Sequence, residues 1–545
     1  MSKIAQYLQE HLLGEVTGSV AARKHFSTDA SVLQITPSVV VYPRGEGDVR
    51  KTARFAWQLA ERGRVLPITA RGAGTDTSGA AIGSGIMMVF PAHMNRILVL
   101  DNKSGTVTIE PGINYGKLQQ ALQTHGRFLP PAPASMEYST VGGAIANNAG
   151  GERSMKYGDT RQYVQALRVV LANGEVIETG RLSKRELSKK LGLSTFEGEV
   201  YRGLDALLEE HKKLVADSGL SIRKNASGYS LMDVRRKDGS FDLTPLFVGS
   251  QGTLGIVTEA TLSTEAENPE TTLFAGFFDD IQQAVKAVEE LRALADGPSA
   301  LEMVDEHLLH MVDQLSPNQL KDVVERPLPK VVLLAEFDSG HPRTRKKSSK
   351  KAAKILQRYA SSFREEVKPA EQEKLWRIRH ASATLVTYSE GNLHAVPIIE
   401  DGVVPVDKLE AFMSGIYQLF KKHQLNVAIW GHVGDGNLHV QPFLDLAQVG
   451  DRQKLFRLMD EYYAFVIKLG GSLSGQHGDG RLRAPYLQAL YGQELYEVME
   501  KVKVIFDPHN ILNPGVKFGT SLDDVKALLR KEYSLGDLHS HMPRT

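Results

Sequence analysis

Val65-Leu66-Pro67-Ile68-Thr69-Ala70-Arg71-Gly72-Ala73-Gly74-Thr75-Asp76-Thr77-Ser78-Gly79 reads as a short apolar strand that runs into a loop of glycine and other small residues. Successive small residues leave backbone N–H groups uncovered, and such nests bind phosphate oxygens. The loop has no Lys-Ser/Thr ending and no helix is evident after it, so neither the P-loop nor the Rossmann fingerprint is met. In isolation it reads equally well as a turn between strands.

Two further stretches decide between those readings. Pro130-Pro131-Ala132-Pro133-Ala134-Ser135 leads into Thr140-Val141-Gly142-Gly143-Ala144-Ile145-Ala146-Asn147-Asn148-Ala149-Gly150-Gly151, where small residues again let the main chain approach a flat ligand. The third, Val248-Gly249-Ser250-Gln251-Gly252-Thr253-Leu254-Gly255-Ile256-Val257-Thr258, joins a small-residue turn to an apolar strand. In this order the three resemble the FAD domain of flavoproteins of the vanillyl-alcohol oxidase and p-cresol methylhydroxylase type, and the resemblance extends from about Ser38 to Gly515.

That resemblance implies an α+β chain: a two-subdomain FAD-binding fold of the p-cresol methylhydroxylase type, followed by an antiparallel-sheet, ferredoxin-like substrate or cap domain. It also implies roles for the loops. Arg71, Gly72, Ala73, Gly74, Thr75 and Asp76 would cradle the FAD pyrophosphate. Ser135, Thr140, Gly142, Gly143, Ala146, Asn147 and Gly150 would line the flavin and ribityl chain, and Ile256 and Val257 would approach the adenine through backbone atoms. No His or Cys stands inside the first loop, and His93 lies beyond the following strand, so the FAD is expected to be non-covalent.

The surrounding pattern agrees with a mixed fold of more than one core, as 545 residues require. Short Val/Ile-rich runs at Val39–Tyr42, Val65–Ile68, Ile86–Phe90 and Thr106–Glu110 alternate with helical patterns near Asp48–Arg62 and Lys117–Thr124. Asn173-Gly174 between Val164–Leu171 and Glu175–Thr179 predicts a two-residue type I′ hairpin. A second strand and helix rhythm follows: Thr272–Phe278, Ile281–Ala295, Val331–Phe337, Arg345–Arg358, Leu393–Ile399, Val406–Lys422 and Val427–Trp430. The expected division is an N-terminal helical segment (1–36), an FAD-binding domain (37–265), a C-terminal substrate or cap domain (270–516), and a final helix and tail (521–545).

Composition excludes several functions. Lys+Arg 65 against Asp+Glu 64 leaves a net charge of +1, which gives no global field for nucleic acid. With no cysteine there are no disulfides, thiol nucleophiles or cysteine-ligated clusters. The first residues form an amphipathic pattern rather than a signal peptide, and no run is long enough to span a membrane. The expected location is cytoplasmic, with membrane contact at most peripheral. Lys347, Lys350, Lys351, Lys354 and Arg358 share a helix face, read here as solvated in preference to lipid-bound.

The chemistry concentrates in Gly431-His432-Val433-Gly434-Asp435-Gly436-Asn437-Leu438-His439 and Gly475-Gln476-His477-Gly478-Asp479-Gly480. His432 and His439 suit a strand that reverses through Gly434–Asn437, and imidazoles brought together across such a hairpin can share a divalent ion such as zinc. This region resembles the C-terminal half of FAD-linked D-2-hydroxy-acid dehydrogenases, the group that oxidises D-lactate, D-2-hydroxyglutarate or glycolate.

By that resemblance His432 and His439 are metal ligands, completed at a position where the family usually has Glu and this chain has Gln476. His477 is the general base, because oxidising a 2-hydroxy acid requires removal of the hydroxyl proton as hydride passes to flavin N5. Arg379, in Leu375-Trp376-Arg377-Ile378-Arg379, would hold the substrate carboxylate, and Asn513 would return to the flavin. Where D-2-hydroxyglutarate enzymes place a lysine, this chain has Pro397-Ile398-Ile399. Gly471 to Arg481 is similar to the branch fused to an iron–sulfur domain, for which this chain has no cysteine. A quinone or a separate electron carrier is then the expected acceptor. The alternatives are a flavin oxidase of phenols or alcohols, and a flavin-binding subunit without turnover.

Overall fold

The computed structural model describes residues 3–382, 389–390 and 393–533. The part of the expected C-terminal tail from 534 to 545 lies outside them. Four strands, β1 (Glu15–Thr17), β2 (Val39–Tyr42), β3 (Ile68–Arg71) and β4 (Ile86–Val89), make a first sheet of order β1-β2-β4-β3. β2, β4 and β3 are parallel and β1 adds an antiparallel edge. The helix Glu46–Glu61 buries Val49, Ala53, Ala56 and Ala60, one stripe at helical spacing, against Val39, Val41, Ile86 and Met88. β3 begins later than the Val/Ile run predicts. Pro67 has no N–H to give a ladder and only its carbonyl accepts, from Ile86 N.

The second sheet contains β5 (Ile97–Asp101), β6 (Thr106–Ile109), β8 (Val164–Val170), β9 (Val176–Glu178) and β10 (Ile256–Ser263), in the order β5-β6-β10-β8-β9; a small pair, β7 (Arg127–Phe128) with β11 (Glu265–Ala266), flanks it. Every pairing in it is antiparallel. The β8–β9 hairpin is present, but its loop differs from the expected type I′ turn. Val170 pairs with Val176, Leu171 N donates to Glu175 O, and only Gly174 takes a positive φ, of 86°. A three-residue loop with one left-handed glycine needs no positive φ at Asn173, whose Oδ1 instead accepts from Glu175 N.

Among the described residues the third sheet has nine strands: β12 (Thr272–Phe278), β13 (Ala300–Asp305), β14 (Val331–Phe337), β15 (Ser362–Glu366), β16 (Ser389–Glu390), β17 (Leu393–Ala395), β18 (Gly402–Val403), β19 (Val427–His432) and β20 (Asn437–Leu444). Its main path runs β15-β12-β14-β13-β19-β20-β17-β16, and β18 also pairs with β20. The predicted strand from Leu393 to Ile399 ends at Ala395.

β12 and β14 are buried along their whole length because helices cover both faces. Phe274 and Phe278 face the core covered by the helices Ile281–Arg292 and Pro342–Tyr359, which continues to Leu409–His423 and Val449–Lys468. Leu273, Ala275 and Phe277 pack with Glu306–Leu315 and Pro369–His380. The period of two along a strand separates these two cores. After the helix Leu487–Phe506 the chain returns to the first sheet, where Ile68 N donates to Ile511 O and Asn513 N to Ile68 O. Among the described residues no helix is long and apolar enough to cross a membrane.

Candidate functional site

The glycine-rich loops meet. Along Gly72 to Thr77 no backbone N–H has a hydrogen-bond partner among the described residues, while Gly72, Ala73, Thr75, Asp76 and Thr77 are partly exposed. A run of free N–H groups in a partly open crevice calls for an anionic acceptor. The second stretch closes the other wall. Thr140 caps the helix Val141–Asn147 by accepting from Gly143 N, and Asn147 Nδ2 donates to Asp76 Oδ1 at 3.0 Å. Gly72 lies against Thr140, where a Cβ would fall 2.2 Å from Oγ1. Arg71 is buried behind the loop and donates to the carbonyls of Thr28 and Ala81. Ser135 is partly exposed before this wall; Ile256 and Val257 pair with Val170 and Val169 in the second sheet.

Gln251, which sequence reasoning quoted without a role, joins this crevice to the histidine loop. Its Nε2 donates to Asn147 Oδ1, Ser78 Oγ and the carbonyl of His477, and its Oε1 accepts from Gly480 N. Asn513, fully buried, donates to the carbonyls of Ala80 and Gln251 and accepts from Thr69 Oγ1, so it ties the same loops together. His93 is engaged elsewhere, 2.6 Å from Glu15 Oε2.

The three histidines form one cluster. β19 and β20 pair His432 with Asn437 and Trp430 with His439, which sets the His432 and His439 rings 5.4 Å apart; the His477 ring stacks on His439 at 5.1 Å. His432 and His439 are buried, whereas the His477 side chain is 28% exposed and alone of the three reaches open space.

Two neighbouring carboxylates place His477. Asp401 Oδ2 accepts from Ser474 Oγ and from the backbone N–H groups of Gln476 and His477, so the Gly475–Gly480 loop folds around it. Glu400 Oε1 lies 2.9 Å from His477 Nδ1. Arg483 braces the pair by donating to the carbonyls of Glu400 and Gly478. Burial pushes the His477 imidazole down, but Asp401 and Glu400 outweigh it and raise the ring to about 9. Burial pushes Glu400 up, and the charge and hydrogen bond of His477 hold it at about 2. Sequence reasoning missed both acids; the signal was Glu400-Asp401 embedded between Ile398-Ile399 and Val403-Val404.

Behind His432 lies a buried chain of polar groups. β13 is the neighbour of β19, and parity places Glu302 on the face covered by the helix Pro369–His380. Glu302 Oε1 lies 2.7 Å from His432 Nδ1, and Oε2 accepts from Arg379 Nε at 2.7 Å. Arg379 is 1% exposed and also donates to Ser382 Oγ, so one edge of its guanidinium is engaged within the protein. Burial pushes the Glu302 carboxyl up, to about 8, against the pull of Arg379. Neither Glu302 nor Lys224 was singled out from sequence.

Gln476 completes the cluster. Its Nε2 is 2.9 Å from His432 Nε2 and 3.3 Å from His439 Nε2, and its Oε1 accepts from Lys224 Nζ at 3.1 Å. Gly150 makes this possible: a Cβ there would fall 2.6 Å from Gln476 Oε1 and 3.1 Å from Lys224 Nζ. Burial pushes both His432 and His439 well below the ordinary histidine range, toward the neutral ring. A second arrangement brings one ligand atom each from Glu400, His439 and His477 within 4.8 Å of one another.

Comparison with known proteins follows these two regions. Residues 37–180 match the family model described as an FAD binding domain, and 267–516 match that of FAD linked oxidases, C-terminal domain. The chain is 32% identical to the glycolate oxidase subunit GlcD of Bacillus subtilis over 92% of this chain and 93% of that protein. It is 31% identical to the D-2-hydroxyglutarate dehydrogenase of Escherichia coli over 93% of this chain, but spans only 50% of that protein's length. A D-lactate dehydrogenase of Anaerostipes hadrus is 29% identical, with 83% and 84% covered. Among solved structures, 4-ethylphenol oxidase from Gulosibacter chungangensis shares the fold with a TM-score of 0.67 at 16% identity, covering 95% of this chain and 97% of that one. The expected p-cresol methylhydroxylase-type architecture is thereby borne out.

Proposed function

From the premise that this chain belongs to the family of FAD-linked oxidases and dehydrogenases that contains the glycolate oxidase subunit GlcD, we propose that it oxidises a D-2-hydroxy acid to the 2-oxo acid. Bound FAD supplies the acceptor for the hydride that leaves the α-carbon. The free N–H groups of Gly72 to Thr77 hold its pyrophosphate, and the stretch from Ser135 to Gly150 lines the rest of the cofactor.

One observation carries the reading: the partly exposed imidazole of His477 stands on a loop bonded through Gln251 to the FAD crevice, with its Nδ1 against Glu400. The Nδ1–H bond to Glu400 fixes the tautomer, leaving Nε2 to accept the substrate hydroxyl proton, and the acid stabilises the imidazolium that results. Arg379 lies behind this wall, beside Glu302, and is proposed to attract the substrate carboxylate. The reduced flavin is proposed to pass its electrons to a quinone or a separate carrier.

The test is anaerobic mixing of the FAD-loaded protein with a panel of D-2-hydroxy acids of different side chains. Bleaching of the flavin band with at least one acid is expected. No bleaching with any of them would leave a flavin-binding subunit without this chemistry.

A further inference from the structure

Gln476 stands within hydrogen-bond reach of both buried imidazoles, with its orientation already decided. A side-chain amide has an accepting end and a donating end, and an ammonium only donates. Lys224, 3% exposed, sits 3.1 Å from one end of the Gln476 side chain, so that end is the oxygen. The NH2 end therefore faces His432 Nε2 and His439 Nε2, at 2.9 and 3.3 Å. Two N–H bonds meet two lone pairs. Turning the amide over would set its NH2 against the Lys224 ammonium.

The resulting set leaves no free Nε2 lone pair for a cation between His432 and His439. A divalent ion between His432 and His439 needs the same two Nε2 lone pairs, and here the third position presents hydrogens instead of an anionic oxygen, with a buried ammonium behind it. On the His432 side the chain of bonds agrees. With Nε2 accepting, the His432 proton sits on Nδ1 and is taken by Glu302, whose other oxygen takes Arg379. The His439 proton likewise sits on Nδ1, which is buried without a partner among the described residues. At the second arrangement, Glu400 already accepts from His477 Nδ1 and from Gln441 Nε2, and a cation would displace the former bond.

Resting on the reading above, we propose that this chain binds its substrate without a divalent metal: Lys224 holds the Gln476 amide with its N–H groups on the Nε2 atoms of His432 and His439, where a metal and its carboxylate ligand would otherwise stand. Substitution of a single atom is what excludes the ion. A glutamate at 476 would keep one oxygen on Lys224 and turn the other toward the two Nε2 atoms, opening the site to a cation.

The experiment is metal analysis of the FAD-loaded full chain and of Gln476→Glu, each dialysed with zinc and then against metal-free buffer. The wild type is expected to retain less than about 0.1 metal per flavin and Q476E about one. Wild-type protein that retains one metal per flavin overturns the proposal, as does a folded, flavin-bound Q476E that retains none. Should Q476E not fold, zinc titration of the wild type against a chromophoric chelator decides alone: no competition supports the proposal, and tight binding of one ion per chain overturns it. These readouts are independent of turnover, so a failed flavin-bleaching assay would reject the reaction without touching the metal count.

Discussion

His477 Nδ1 lies 2.9 Å from Glu400 Oε1, and Asp401, the next residue, holds the backbone N–H of His477 at 2.8 Å. The first acid fixes the ring and the second fixes the loop that carries it. Replacing Glu400 by Gln keeps the shape and removes the charge. The rate of flavin reduction is expected to fall by roughly 10- to 100-fold, since oriented acid–base groups contribute on the order of 10²–10⁴-fold, while FAD content is unchanged. Stopped-flow reduction under anaerobic conditions measures both; an unaltered rate would remove Glu400 from the mechanism.

The pH dependence follows from the same pair. His477 faces Asp401, Glu400, Arg483 and the His439 ring, and the two acids raise it from its ordinary 6.5 to about 9. A base must be neutral to accept a proton, so reduction should accelerate as pH rises and level off above about 9. The sign for stability is opposite. The ion pair contributes fully below 6.5 and is lost as pH passes through about 9. In Glu400→Gln the kinetic midpoint should move to lower pH; a profile unchanged by the substitution would show that some other group titrates.

His477→Ala should abolish flavin reduction while FAD stays bound, because the crevice loops are joined by Gln251, Asn147 and Asn513 rather than by the imidazole. A loss of at least about 100-fold is expected for removal of a general base. Retained reduction would sink its assignment.

Gly72→Val tests the cofactor crevice. The added Cβ would fall 2.2 Å from Thr140 Oγ1, the atom that caps the helix Val141–Asn147. The two walls must part, and flavin content after purification should drop to a small fraction of wild type with the fold retained. Full flavin content with the normal absorption spectrum would place the pyrophosphate elsewhere.

Lys517 and Asp479 form an ion pair with neither side chain exposed, in which Asp479 also accepts from Gly228 N. Lys517→Met strands a buried carboxylate, a loss of about 3–5 kcal/mol. The melting temperature should fall by several degrees, and the loss should shrink in Lys517→Met combined with Asp479→Asn. An equal loss in both variants would assign the effect to packing instead of charge.

Much of this was legible in the chain itself. β2, β12 and β14 fall where the apolar runs predict, because strand burial is written as local residue pattern. The three small-residue stretches, in their order, carried the resemblance that implied the fold, and at Gly72 and Gly142 the lack of a Cβ does permit a close approach, to Thr140 and Pro111. The His432–His439 hairpin was equally readable, for its reversal is set by Gly434 to Asn437.

The character of the histidine cluster was decided only by the tertiary structure. Glu302 reaches His432 across 130 positions and Lys224 reaches Gln476 across 252. Sequence identified Gln476 as the departure from the family pattern but gave no orientation to its amide. That orientation is a property of the space around it, where one buried ammonium settles which end of the side chain the imidazoles meet, and no local pattern encodes a neighbour brought in from 252 positions away.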